Sequence, residues 1–148
     1  MSIYAVQRRV ACYVTRTSES GHELLLCEDS GNDPETAPGV RIPAGRMLPF
    51  EGVAEAALRE VEEETGLIGL TYVEQVGFHE LGLRDPGGPS LTNFVHVRAP
   101  SDGESSWEHT VASDAEDSGV TVFCRWESLP LKSELPGGLG RFLSAVHQ

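Results

Sequence analysis

The chain has 148 residues, 39% of them hydrophobic and 23% charged, and a formal net charge of −12. This is the composition of one soluble globular domain, spanning 1–148, with its own core. It excludes a membrane-spanning chain, since no apolar run is long enough, and it disfavours long nucleic acid, which rewards basic surfaces.

The first predicted element is a strand over residues 5–16, where Val10, Cys12 and Val14 alternate with other side chains. Arg8 and Arg9 interrupt any apolar run at this end, so no secretory signal pattern is present. GHELLLCED (21–29) reads as a second strand, buried on both faces from Leu24 to Cys27. SGNDPETAPG (30–39) is a loop, and VRIPAG (40–45) a short strand ending in a turn. A helix is expected over 52–65, closed by Gly66 as its C-terminal cap. Residues 70–84 form a long strand bent near Gly77. A turn at 85–90 returns the chain into a strand over 91–99. Residues 100–119 are acidic and Ser-rich and read as irregular. That length is unusual for a structureless loop unless it is functional. Strand 120–129 follows, and GGLGRFLSAVHQ (137–148) reads as a C-terminal helix. The order predicts an α+β fold, a mixed sheet flanked by helices as an α-β-α sandwich. Cys12, Cys27 and Cys124 are odd in number, lie in apolar stretches and lack metal-ligand spacing. They read as buried free thiols in a reducing compartment, so the expected location is cytoplasmic.

The segment REVEEETG (59–66) concentrates charge of one sign. At about 100° per residue, Ala54, Ala57, Leu58 and Val61 share the core face. Glu55 and Glu62 point to solvent, with Glu55 placed one turn before Arg59 as an ion-pair partner. Glu60 and Glu64 stack on a neighbouring face with Glu63 beside them. Three converging carboxylates need a counter-charge, and hard oxygen donors suit Mg²⁺, Mn²⁺ or Ca²⁺. A solvated acidic helix face is the alternative that geometry alone leaves open. A net negative charge is no obstacle to a phosphorylated ligand, because a divalent cation reverses the local sign of such a pocket.

The wider segment GRMLPFEGVAEAALREVEEETGL (45–67) narrows the choice. Gly45, five residues, Glu51, seven residues, then Arg59, Glu60, Val61, any residue, Glu63, Glu64, any residue, Gly66 and Leu67 resembles the complete signature of the Nudix hydrolase family. Seven identities in register arise by chance on the order of 10⁻⁸ per start position. The resemblance implies a loop–helix–loop in which Glu60, Glu63 and Glu64 hold Mg²⁺ (or Mn²⁺), with the Gly45 backbone carbonyl approaching the metal. It implies that Arg59 orients a glutamate and that Glu51 braces the loop. The catalytic set implied is Glu60, Arg59 and Glu63. Two positions depart from many relatives: Pro43-Ala44-Gly45-Arg46 where consecutive glycines are common, and Phe50 in place of a glycine.

The family hydrolyses a diphosphate bond, usually in a nucleoside diphosphate linked to another group, and such chemistry needs a base for the attacking water. Glu60 is one candidate. The others lie in 100–119, namely Glu108, Asp114, Glu116 and Asp117. Arg84, Arg98 and Arg125 are candidate phosphate ligands or surface ion pairs. His79, His96 and His109 could line a cleft or serve structure, and Trp107, Phe78 and Phe94 could stack on a base or fill the core. Three readings follow: a diphosphatase of a small nucleotide derivative, a hydrolase of nucleoside triphosphates or dinucleoside polyphosphates, and a nucleotide-sensing module without turnover. The expected partner is a small nucleotide or diphosphate substrate, with no membrane and no long nucleic acid. The resemblance leaves a homodimer open.

Overall fold

A computed structural model describes residues 5–29, 39–111 and 119–146. Its centre is β1 (Gln7–Ser18), buried without interruption from Val10 to Arg16. A strand reaches that state only when both faces and both edges are covered. β1 pairs in parallel with β5 (Ser90–Arg98) on one edge. On the other edge its two halves take different partners. Thr15–Ser18 pair with β2 (Gly21–Asp29), and Arg9–Ala11 pair with β3 (Ala44–Arg46), both antiparallel. β1 and β2 therefore splay apart, and the chain around Pro43 enters the gap, its carbonyl accepting from Cys12 N–H at 2.8 Å. This splay seats the loop that leads into the helix.

The sheet runs β4 (Thr71–Leu81), β5, β1, β2, β7 (Thr121–Ser128) and β6 (Ser106–Thr110), with β3 beside β1. The predicted bend in β4 is present as two register shifts, one of them between Gln75 and Gly77. A Cβ at Gly77 would collide with the Phe142 ring, so the glycine is needed for that ring to pack down. Helix α1 (Val53–Thr65) covers one sheet face. There Ala56, Ala57 and Val61 meet Val10, Cys12, Val14, Leu25, Val95 and Val97. Small residues on the helix allow this close approach, and Ala56 takes the buried place expected of Ala54.

The mixed sheet and α+β class agree with the sequence reading, but α1 is the only α-helix among the described residues. The helix expected over 137–148 is replaced by two 3₁₀ turns, Pro136–Gly138 and Leu143–Ala145. Leu139, Phe142, Leu143 and Val146 have helical spacing, which carried the expectation. Gly137 and Gly138 adopt φ of 65° and 73°, outside any right-handed helix, and break it. The apolar residues still do a helix's packing work, covering Ala11, Tyr13, Leu24, Leu26 and Phe94 on the second face. The 100–119 segment also differs from expectation, because Ser106–Thr110 form edge strand β6 against β7. Asp114, Glu116 and Asp117 lie outside the described residues. No helix among the described residues is long and apolar enough to cross a membrane.

Candidate active site

Helix α1 starts at Gly52, whose N–H is met by the Glu55 carboxylate at 3.2 Å. It stops at Gly66, held at φ 76° with its N–H on the Glu62 carbonyl at 2.8 Å. The helix offers unpaired carbonyls at this end, and β6 supplies their donors. Trp107 Nε1 donates to the Thr65 carbonyl at 2.8 Å, and His109 Nε2 to that of Glu63 at 2.9 Å. Glu55 and Glu62 are exposed, as expected.

Arg59 is the hub of the acidic face. Its Nε and Nη2 grip the two Glu51 oxygens at 2.6 and 2.8 Å. Its Nη1 reaches Glu60 at 3.0 Å and Glu63 at 3.2 Å, and Nη2 also donates to the Arg46 carbonyl at 3.0 Å. The expected Glu55–Arg59 pair is not made, since three nearer carboxylates compete for the guanidinium and Glu55 serves the helix start. Glu51 accepts from Leu48 N–H at 2.8 Å, so the loop and the helix share one brace. The hydrogen bond from Arg59, aided by that backbone donor, holds the Glu51 carboxyl below its usual range although partial burial opposes it. Phe50, fully exposed, turns this loop with φ 66°. That is an uncommon conformation for a bulky residue.

Glu60 lies flat against Gly45, and any Cβ at Gly45 would overlap its carboxylate. Glu64 is almost wholly buried and has both oxygens engaged, Oε2 by Ala44 N–H at 2.8 Å and Oε1 by Arg41 Nη1 at 2.9 Å. Arg41 Nη2 in turn binds Asp29 at 2.8 Å. Burial pulls the Arg41 pKa down, but the Glu64 charge and the Asp29 hydrogen bond outweigh it and raise the value. Sequence reasoning missed Arg41 and Asp29. The signal was an arginine inside the short apolar stretch VRIP, which needs a buried partner.

The structure thus brings Glu60 and Glu63 to one guanidinium nitrogen and turns Glu64 to another cation. The three glutamates offer hard oxygen donors, which fit a divalent ion in kind, and only a glycine at 45 lets the Glu60 carboxylate lie against the loop. Glu63 is the most accessible of the three, its side chain 28% exposed. Among the described residues no three such side chains yet surround a common point. A cleft of about 470 Å³ lined by Arg59, Glu62, Glu63, Gly66 and His109 opens beside them.

The other candidates lie elsewhere. Arg125 pairs with Glu28 and Glu127 on the sheet, and Arg84 and Arg98 are exposed. His96 is buried on Thr15 at 2.7 Å, and His79 meets Arg141. Glu108 is exposed on β6. Phe94 packs between Tyr13 and Phe142 in the second core, and Phe78 is exposed.

A mixed sheet splayed around a loop–helix–loop, with an arginine binding glutamates along the helix, defines the Nudix class of α+β domains. The NUDIX domain family model matches residues 6–145, and the chain belongs to that family. The human 8-oxo-dGDP phosphatase NUDT18 is 35% identical over 99 residues, which cover 65% of this chain but only 28% of that relative. Among solved structures, the NUDIX domain of Shewanella oneidensis NrtR complexed with ADP ribose aligns with a TM-score of 0.63 and 19% identity, over 96% of this chain and 86% of that one. The C. elegans Ap4A hydrolase aligns at 0.58 and 20%, over 95% and 98%. These two likenesses show the fold.

Proposed function

We propose that the chain is a metal-dependent hydrolase that cleaves the diphosphate bond of a nucleoside diphosphate linked to another group. The observation that carries this reading is the Arg59 hub, which ties Glu51 of the preceding loop to Glu60 and Glu63 of the helix beside an open cleft. Glu60, Glu63 and Glu64, with the Gly45 backbone, would hold Mg²⁺ or Mn²⁺. When bound, such an ion neutralises diphosphate charge and acidifies a water. Glu60 then takes the water's proton, held in place between Arg59 and Gly45. Arg59 acts through the carboxylates it orients, and the exposed edge of Glu63 faces the cleft.

One observation favours a sensing module without turnover. Both Glu64 oxygens are already taken, by Arg41 and Ala44 N–H, so a metal must compete for them. Chromatographic analysis of the products formed with Mg²⁺ from a panel of 8-oxo-dGDP, Ap4A, ADP-ribose, UDP-linked sugars and nucleoside triphosphates separates the readings, because cleavage of a linked diphosphate yields two phosphomonoesters and no free phosphate. Turnover on a linked diphosphate supports the proposal. Turnover confined to triphosphates or Ap4A moves the substrate class. Tight nucleotide binding without hydrolysis of any member favours the sensor.

A further inference from the structure

Cys27 on β2 and Cys124 on β7 are direct cross-strand partners. The backbone shows which kind of pair they form. Cys27 N–H and C=O both bond to Arg41, at 2.8 and 2.9 Å, so they point away from β7. Trp126 N–H, two residues along β7, likewise points away from β2, to the Ser105 carbonyl at 3.0 Å. At the near end of the ladder Leu129 N–H bonds to the His22 carbonyl at 2.9 Å. Bonded and non-bonded pairs alternate from there, which makes Cys27–Cys124 a non-bonded pair. In such pairs the Cα atoms lie about 4.5 Å apart and the side chains come closest. A disulfide accepts Cα separations of roughly 4.4–6.8 Å, so no backbone shift is needed to close one. Both side chains face the helix-side core.

We propose that Cys27 and Cys124 are a reversible oxidation site that closes to a disulfide when the protein meets a hydroperoxide. The neighbouring Cys124 thiol raises the Cys27 pKa, with burial adding to the rise, while the Cys27 thiol, helped by the Arg41 charge, lowers that of Cys124 despite burial. Cys124, which pairs with edge strand β6, is the attacking sulfur and Cys27 the resolving one. Cys124 sulfur attacks a peroxide oxygen and the O–O bond breaks; the leaving oxygen takes the Cys124 proton and departs as water (or, from an organic hydroperoxide, as an alcohol), giving the sulfenic acid. Cys27 sulfur then attacks Cys124 sulfur, the S–S bond forms, the S–O bond breaks and a water leaves with the Cys27 proton. Two thiols are oxidised and one hydroperoxide is reduced. A dithiol reductant reverses the change.

Access comes through β6. This edge strand has five residues, alternately exposed and half-buried, and its Trp107 lies opposite Cys124. Opening of this edge strand releases Trp107 and His109 from the helix end and uncovers the pair, so oxidation follows that opening. Cys12 has no thiol partner in its register, and burial together with the Glu64 and Glu60 charges pushes its pKa well up. It stays a thiol.

The test treats the folded chain with a few equivalents of hydrogen peroxide, blocks free thiols by alkylation in denaturant, and maps peptides by mass. The expected result is a linked Cys27–Cys124 peptide lacking two hydrogens, released by dithiothreitol, with Cys12 alkylated. In Cys27→Ala a dimedone adduct should collect on Cys124, because the resolving thiol is gone. The wild-type map decides the matter even if that variant does not fold. Three alkylated thiols after peroxide, or Cys124 carried to the sulfinic acid without a linked peptide, would overturn the proposal.

Discussion

Arg41→Met should cost far more stability than a surface arginine, and the structure sets the size. Arg41 joins a Glu64 side chain that is 3% exposed to an Asp29 side chain that is 26% exposed. Removing one member of a buried ion pair costs about 3–5 kcal/mol, because the other charge stays desolvated. The Asp29 end reaches water and adds roughly 0–1 kcal/mol. Ala44 N–H remains on Glu64 after the change, which favours the lower end, about 3 kcal/mol. At about 2–4 °C per kcal/mol for a chain of this size, the midpoint of thermal unfolding should fall by roughly 6–12 °C. Adding Glu64→Gln removes the stranded charge, so the double variant should recover most of the loss. Circular dichroism melts of wild type, both single variants and the double variant form a complete cycle. A fall of less than about 2 °C in Arg41→Met, or strictly additive losses in the double variant, would refute the reasoning.

Glu60→Gln should lower turnover by a factor of about 10² or more. Its melting point should fall slightly and not rise, since Glu60 has a counter-charge in Arg59 that the amide loses; steady-state kinetics and a melt read both. Gly45→Ala should displace the Glu60 carboxylate at small cost in stability, because the atoms it meets end a flexible side chain. Loss of turnover with a nearly unchanged melt is the expected pattern. The Glu51 carboxyl is held below its usual value, so the stability it contributes is present above about pH 4.3 and is lost as pH falls through the lower folded value. Melts between pH 6 and pH 3 should show a shallower acid decline in Glu51→Gln than in wild type.

The box helix was legible because its signals agree: an apolar stripe, Gly52 and Gly66 at its ends, and a spacing that fixes Arg59 and the glutamates in register. β1, β2 and β7 were legible from runs of buried apolar residues. β6 was not, because Ser106–Thr110 is short and polar and becomes a strand only through pairing with β7. The C-terminal segment misled through the helical spacing of Leu139, Phe142, Leu143 and Val146, a pattern that packing requires but glycine conformation overrides. Arg41 and Glu55 share a lesson. The partner of a charged side chain is set by tertiary distance, and the one-turn rule that suggested Glu55 to Arg59 lost to Glu51, eight residues back.

The bond from Trp107 to the end of the box helix gives the protein an optical reporter of its own glutamate site. Of its two tryptophans, Trp107 ties its indole N–H to the Thr65 carbonyl, one residue beyond Glu64, while Trp126 is buried in the core with Arg16 over its ring. Indole emission depends on what its N–H touches. Under the proposed metal binding at Glu63 and Glu64, any shift of the last helical turn therefore changes the colour of Trp107 fluorescence, with no label added and no substrate known.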